Sequence, residues 1–323
     1  WYWETLRPSP SELVQANKFF KDANPTFLRS VNKFREWPQS DVPEVAFVGR
    51  SNVGKSSLLN AIVGADLKTK VSDKELARTS KHPGHTKMMN LYGVGGFDHG
   101  GGGVRIRPPR SGTHERIMGK GGLVIVDLPG YGEGSHQEWG LEILKYLTQR
   151  NQLQRTFILV DALAGLKDKD RSLLASLRLA GVSHQVILSK LDRVYIPDAG
   201  ILSRVDGRRA PKPMGSLEDL AVVMQGIREE IQPRVGGGAL GELLACSSEV
   251  RCNGRLMGMD AVRYAILQAA SHQFDRVPEK KISQVKAVPP LIKKHAGLPP
   301  AKVRPLRTQK KSSPGSWKTA RLH

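Results

Sequence analysis

The sequence predicts an α/β fold: a doubly wound, mostly parallel sheet with helices on both faces. Two observations carry that expectation. From Val45 onward, apolar runs of strand length, VAFVG, LVIVDLPG, RTFILVD, HQVILSK and ELLACSS, alternate with the amphipathic stretches QEWGLEILKYLTQR, DRSLLASLRLA and DAVRYAILQAA. The first run breaks into a Gly-bounded loop, GRSNVGKSS at 49–57, and then continues as a helix-compatible pattern through Leu58, Leu59, Ala61 and Ile62.

Ahead of that domain, residues 1–41 hold SELVQANKFF and NPTFLRSVNKFREW. Each opens after Ser or Asn with apolar residues three to four apart, which predicts an N-terminal helical arm. The α/β domain is expected over 42–274, with two insertions. Gly93 to Gly122 is Gly-rich and carries Arg105, Arg107, Arg110, Arg116 and Lys120; it reads as a flexible excursion, disordered or ordered on a partner. The second runs from about Val194 to Gly238, with one scaffold helix in SLEDLAVVMQGIREEIQ, capped by Ser216 with Asp219 three residues on. From 275 to 323 the chain turns to Pro, Lys and Arg with few large apolar residues.

Charge and cysteine content narrow the class. Net charge is +20, of which the segment after Asp275 carries +12 with Glu279 as its lone acid. Such a tail cannot bury enough surface to fold alone, but it can lie along RNA phosphates with salt-dependent affinity. Cys246 and Cys252 form no C-x-x-C pair, so neither a disulfide framework nor a thiolate zinc site is indicated. No apolar run approaches the roughly 20 residues that cross a bilayer. The chain opens at Trp1 without Met, so a cleaved or omitted leader is expected upstream.

The loop has the spacing G-x-x-x-x-G-K-S, with Gly49, Gly54, Lys55 and Ser56 in the fixed places of a phosphate-binding loop. The glycines permit turns closed to residues with a Cβ, so the amides across Ser51, Asn52, Val53, Gly54 and Ser57 can converge on phosphate oxygens. The positive end of the following helix adds to the cradle. Lys55 is expected to reach the β and γ phosphates and Ser56 to ligate Mg²⁺.

A P-loop alone does not separate GTPases from ATPases or small-molecule kinases. DLPG supplies a D-x-x-G turn: Asp127 for Mg²⁺, and the Gly130 N–H for the γ-phosphate. Next, Ser189-Lys190-Leu191-Asp192 is close to the N/T-K-x-D pattern of guanine sites. The Asp192 carboxylate can accept from the N1–H and 2-amino groups of guanine, which adenine lacks, while the Lys190 stem packs over the base. Ser189 keeps a hydroxyl where Asn or Thr is usual. Ser247 and Ser248 end the last strand, where a loop N–H is expected to meet guanine O6.

GRSNVGKSSLLNAI, ARTSKHPGHT, VDLPGYG, LVDALAGLKDKDRSLLASL, LSKLDRV and CSS, in that order, resemble the EngB (YihA)-type GTPases of the TrmE, Era, EngA and EngB group. The resemblance implies a Ras-like P-loop GTPase fold, GTP and GDP with Mg²⁺ as ligands, and a role in ribosome assembly, chiefly of the large subunit. TSKHPGHT then resembles the first switch, with Thr86 closing over Mg²⁺ and the γ-phosphate. His85 stands where the family usually has Arg. His82 and His85 form H-x-x-H without a further ligand cluster and are expected to be ordinary switch residues.

After D-x-x-G, many GTPases place a water-orienting Gln; here it is Tyr131. Slow intrinsic turnover is therefore expected, raised by a partner or by K⁺ held near Asn52. The expected activity is a GTP-driven assembly factor acting on preribosomal particles, with rRNA contacted through the basic tail and loop. The alternative is a GTP-bound RNA-binding module with little or no hydrolysis. The insertions, the basic character and the start at Trp1 favour a mitochondrial matrix location over a plastid or bacterial cytoplasm.

Overall fold

The computed structural model describes residues 7–23, 25–64, 88–97, 102–109, 114–131, 137–232 and 242–274. In chain order these form α1 (Pro10–Asp22), β1 (Thr26–Val31), β2 (Gln39–Ser40), β3 (Glu44–Gly49), α2 (Lys55–Ile62), β4 (Met89–Phe97), β5 (Arg105–Arg107), β6 (Arg116–Met118), β7 (Lys120–Asp127), α3 (Gln137–Gln149), β8 (Leu153–Asp161), α4 (Asp168–Leu179), β9 (His184–Ser189), β10 (Leu202–Arg204), α5 (Leu217–Ile231), β11 (Leu244–Ala245), β12 (Val250–Cys252), β13 (Arg255–Leu256) and α6 (Met259–Ala269).

Seven strands make the central sheet, in the order β1-β4-β7-β3-β8-β9-β11. From β7 to β11 every pairing is parallel, while β1, β4 and β7 pair antiparallel. The inner strands are apolar throughout because both faces are covered. Along β3, Val45 and Phe47 enter one core with Leu58, Leu59 and Ile62 of α2 and Ala265 of α6. Ala46 and Val48 enter the other, with Tyr146 of α3, Leu174 of α4 and Met224 of α5. That two-sided packing is the doubly wound fold the apolar runs predict, and it brings the carboxyl ends of β3, β7, β8, β9 and β11 to one edge.

The N-terminal reading is half corrected. Helix α1 forms, with Pro10 in its first turn and Ser9 and Glu12 as a reciprocal capping box. NPTFLRSVNKFREW, in contrast, is strand β1 followed by a short 3-10 turn at Phe34–Glu36. Phe27, Val31 and Phe34 have helical spacing, but pairing with β4, from Thr26 opposite Gly93 to Val31 opposite Met89, overrides it. This segment is thus the edge of the main sheet and not part of a helical arm.

The Gly-rich excursion is corrected more sharply. Within its described residues, Gly93–Phe97 extend β4, Lys120–Gly122 open β7, and β5 and β6 join β2 in a separate three-stranded sheet. The glycines form a socket for Val104, which is 2% exposed. A Cβ at Gly93 would stand 2.7 Å from Val104 Cβ, one at Gly119 2.7 Å from Val104 Cα, and one at Gly122 would meet Val104 Cγ2. Composition alone cannot tell glycine that is absent of structure from glycine that makes room for a neighbour. Gly93→Ala is accordingly expected to destabilise by about 1–3 kcal/mol through overpacking. Gly140→Ala, on α3 with nothing within 4 Å of the new Cβ, is expected to stabilise by about 0.5–1 kcal/mol. Urea unfolding midpoints of the two variants check both signs.

In the second insertion α5 forms as the sequence predicts, with the Ser216 hydroxyl accepting from Asp219 N at 3.0 Å. Its Leu220, Met224, Ile227 and Ile231 are buried. Ahead of it, β10 pairs with β12, which pairs in turn with β13, in a second three-stranded sheet, an element the sequence reading does not contain. At the opposite end of β3 from the loop, buried Glu44 takes a bidentate guanidinium contact from Arg150, with Nη2 to Oε1 at 2.6 Å, and accepts from the Tyr146 hydroxyl at 3.2 Å. No described helix is long and apolar enough to cross a membrane.

Candidate functional site

The phosphate loop follows directly from the edge of β3. Gly49 is held close, since a Cβ there would lie 2.8 Å from Val53 Cγ1. Gly54 takes φ +96° and opens α2 with no side-chain cap, so the first amides of that helix are left for a ligand. Not every loop amide serves that purpose. Ser51 N–H donates to Tyr131 O at 3.2 Å and Val53 N–H to Arg50 O at 3.2 Å. These two bonds tie the loop to the D-x-x-G turn and close it on itself.

Lys55 and Asp127 face each other as a buried ion pair, 8% and 1% exposed. A cation suited to phosphate and a carboxylate suited to a hard metal therefore meet at the ends of neighbouring parallel strands, where Phe47 lies opposite Asp127. Ser56 opens α2 one residue later. Hydroxyl and carboxylate oxygens are the donor set that Mg²⁺ selects, so the residues present fit that ion. Gly130 is backed against the loop: a Cβ would fall 3.3 Å from both Ser51 N and Ser51 Oγ. His82, His85 and Thr86 lie outside the described residues.

The base turn is fastened to the phosphate loop. Ser189 Oγ donates to Val53 O at 2.6 Å, which gives the serine at this unusual position a defined task. Lys190, in the left-handed region at φ 56°, donates from Nζ to Asn52 O at 2.7 Å. Its Cε lies 3.6 Å from where a Gly54 Cβ would be, so the stem crosses the loop. Asn52 is also left-handed, at φ 64°. Asp192 Oδ1 accepts from Ser247 Oγ at 2.6 Å. Ser247 N–H donates to Met257 O at 2.9 Å; it orients Asp192 instead of offering an amide to guanine O6, and the half-buried Ser248 follows it in the loop after β11.

Three site residues are absent from the sequence reading. Asp161, closing β8, pairs with Lys190 Nζ at 2.9 Å and accepts from the Leu163 and Ala164 amides at 3.1 Å. Partial burial works against it, yet Lys190 and those amides hold its carboxyl below the ordinary value. Its position at the end of an apolar run, like that of Asp127, is the signal for it in the sequence. Arg50 and Asp170 are joined by an ion pair at 2.9 Å across 120 residues of chain, for which no local pattern exists.

Phosphate loop, D-x-x-G turn and base turn meet at the carboxyl edge of a parallel sheet, the layout of a P-loop GTPase domain. Residues 44–190 match the family described as 50S ribosome-binding GTPase. A probable GTP-binding protein EngB of Bartonella tribocorum is 33% identical over 247 residues, 75% of this chain and 91% of that protein. Another, from Mesorhizobium japonicum, is 37% identical over 175 residues, 53% of this chain and 71% of that one. A crystal structure of Aquifex aeolicus Era bound to GDP and AlF4⁻ is similar at 19% identity and a TM-score of 0.43; the match covers 71% of this chain and 56% of that one, little more than half of it. The chain belongs to the EngB-type GTPases, which bind GTP and GDP with Mg²⁺ and hydrolyse GTP.

Proposed function

We propose that this GTPase is an assembly factor for the large subunit of the mitochondrial ribosome. The observation that carries the reading is the EngB-type site held together by Lys55, Asp127, Lys190 and Asp192 in a chain whose last 48 residues are strongly basic. In it, Lys55 and the first amides of α2 bind the phosphates, and Asp192, oriented by Ser247, reads the guanine edge. Ser56 and Asp127, with Thr86, would hold Mg²⁺, which would supply charge neutralisation to the phosphates. Thr86 and the Gly130 amide sense the γ-phosphate, and hydrolysis releases the switches from rRNA. The GTPase domain gives timing, while the tail after Asp275 and the arginines of the first insertion give salt-dependent affinity.

Tyr131 donates its hydroxyl to Asp170 at 2.6 Å, so it leaves the place of a water-orienting Gln without an amide. Slow intrinsic turnover follows, raised by K⁺ near Asn52 or by the particle. Purified protein is assayed with GTP and ATP in K⁺ and in Na⁺, with and without large-subunit precursors from mitochondria. GTP-selective turnover, increased by K⁺ or by the particles, is the expected result. Fast turnover in Na⁺ alone overturns the dependence on an added charge. Tight GTP binding without turnover under every condition turns the reading to an RNA-binding module that keeps GTP as a structural ligand. Import of the full-length precursor into isolated mitochondria tests the location, and its failure removes that part.

A further inference from the structure

Asp170 lies in the first turn of α4, outside every nucleotide motif, and yet it gathers donors from two of them. Its carboxylate is 0% exposed. Tyr131 donates its hydroxyl to Oδ1 at 2.6 Å, Arg50 Nε stands 2.9 Å from Oδ2, and the Lys167 amide donates to Oδ2 at 2.9 Å. Arg50 is the second residue of the phosphate loop and also donates from Nη2 to Gly165 O at 3.3 Å. Tyr131 is the residue that follows D-x-x-G.

The main chains of these two donors are joined as well. Ser51 N–H donates to Tyr131 O at 3.2 Å, and Tyr131 N–H to Gly49 O at 3.3 Å, in a parallel bridge between Arg50 and Tyr131. Gly130 is the neighbour of that bridge, seated against Ser51. A phenol bonded to a buried carboxylate is fixed in direction, and charge-assisted bonds of this kind are among the stronger ones. Burial, and after it the bond to Asp170, push the Tyr131 phenol far above its ordinary value, so it stays a donor.

We propose that Asp170 is a positioning residue for GTP hydrolysis, which through Tyr131 and Arg50 fixes the Gly130 amide against the phosphate loop. Tyr131 then acts as the peg by which the turn is set, and takes no part in handling the attacking water. The inference rests on the GTPase assignment and not on the ribosomal one.

The test uses the full chain, with Tyr131→Phe, Asp170→Asn and the double variant. Affinities for GDP and for a non-hydrolysable GTP analogue are measured by fluorescence, alongside kcat, KM and Tm. Tyr131→Phe removes one oxygen and is expected to weaken the analogue and lower kcat about tenfold, with GDP affinity within about twofold of wild type. The double variant is expected to be no worse than Asp170→Asn, because both changes cut one link. Equal losses for GDP and analogue, or wild-type constants throughout, overturn the proposal, the former by showing a merely structural role. Should Asp170→Asn fail to fold, Tyr131→Phe alone decides. A wild-type protein that binds both nucleotides without turnover counts against hydrolysis, while the ratio of the two affinities still reports on Gly130.

Discussion

Lys55→Ala is expected to lower GTP turnover by about 10²–10³-fold, the loss that follows removal of one preorganised charge donor from a phosphoryl-transfer site. The effect has two sources that a stability measurement separates. Lys55 is the ammonium available to the phosphates, and it is also the partner of Asp127, which is 1% exposed. Truncation leaves that carboxylate buried without its cation, which costs about 3–5 kcal/mol in folding stability. Lys55→Ala combined with Asp127→Ala removes both charges and is expected to recover most of the stability and none of the turnover. Urea midpoints and single-turnover rates on the three proteins check this. Turnover that returns with the stability would place Lys55 in the scaffold alone.

Asp192→Asn is expected to reverse base selectivity. The carboxylate offers two acceptors to the N1–H and 2-amino group of guanine. An amide offers one acceptor and one donor, which matches N1–H and the 2-keto oxygen of xanthine. Placing a donor against the 2-amino group leaves two donors facing each other in a desolvated site. Mismatches of this type are rejected by about 10⁴–10⁵-fold where a site is built around the missing bond; with Asp192 held on one side by Ser247 at 2.6 Å, about 10²–10³ is expected here. Competition of labelled GTP by XTP and ATP reads the outcome. Unchanged preference for GTP would move base recognition away from Asp192.

Much of this site is legible in the sequence because it is local. Gly49 to Ser57, Asp127 to Gly130 and Ser189 to Asp192 each sit at the end of a run apolar enough to be a buried strand. The parallel pairing of β3, β7, β8 and β9 then has little choice but to bring those ends together. What escapes is pairwise and distant. Whether Thr26–Val31 is helix or strand depends on β4, some 60 residues away in the chain, since Val31 stands opposite Met89. Whether Gly93, Gly119 and Gly122 mean disorder depends on Val104, which fits against all three. Ser247 has the expected position but a different duty, because its amide is taken by Met257. Tyr131 can be seen from the sequence not to be Gln, but its tie to Asp170 can be found in three dimensions only.

Two bonds noted above, from Ser189 Oγ to Val53 O and from Lys190 Nζ to Asn52 O, make the base turn and the phosphate loop a single bidentate clamp. The halves of a nucleotide then bind to one preorganised body, as two linked sites share one loss of translational freedom. Guanosine and inorganic pyrophosphate offered separately will each bind far more weakly than GDP, by more than their individual contacts imply. Damage at either half is also transmitted to the other: a lesion at Ser189, remote from any phosphate, loosens the phosphate grip.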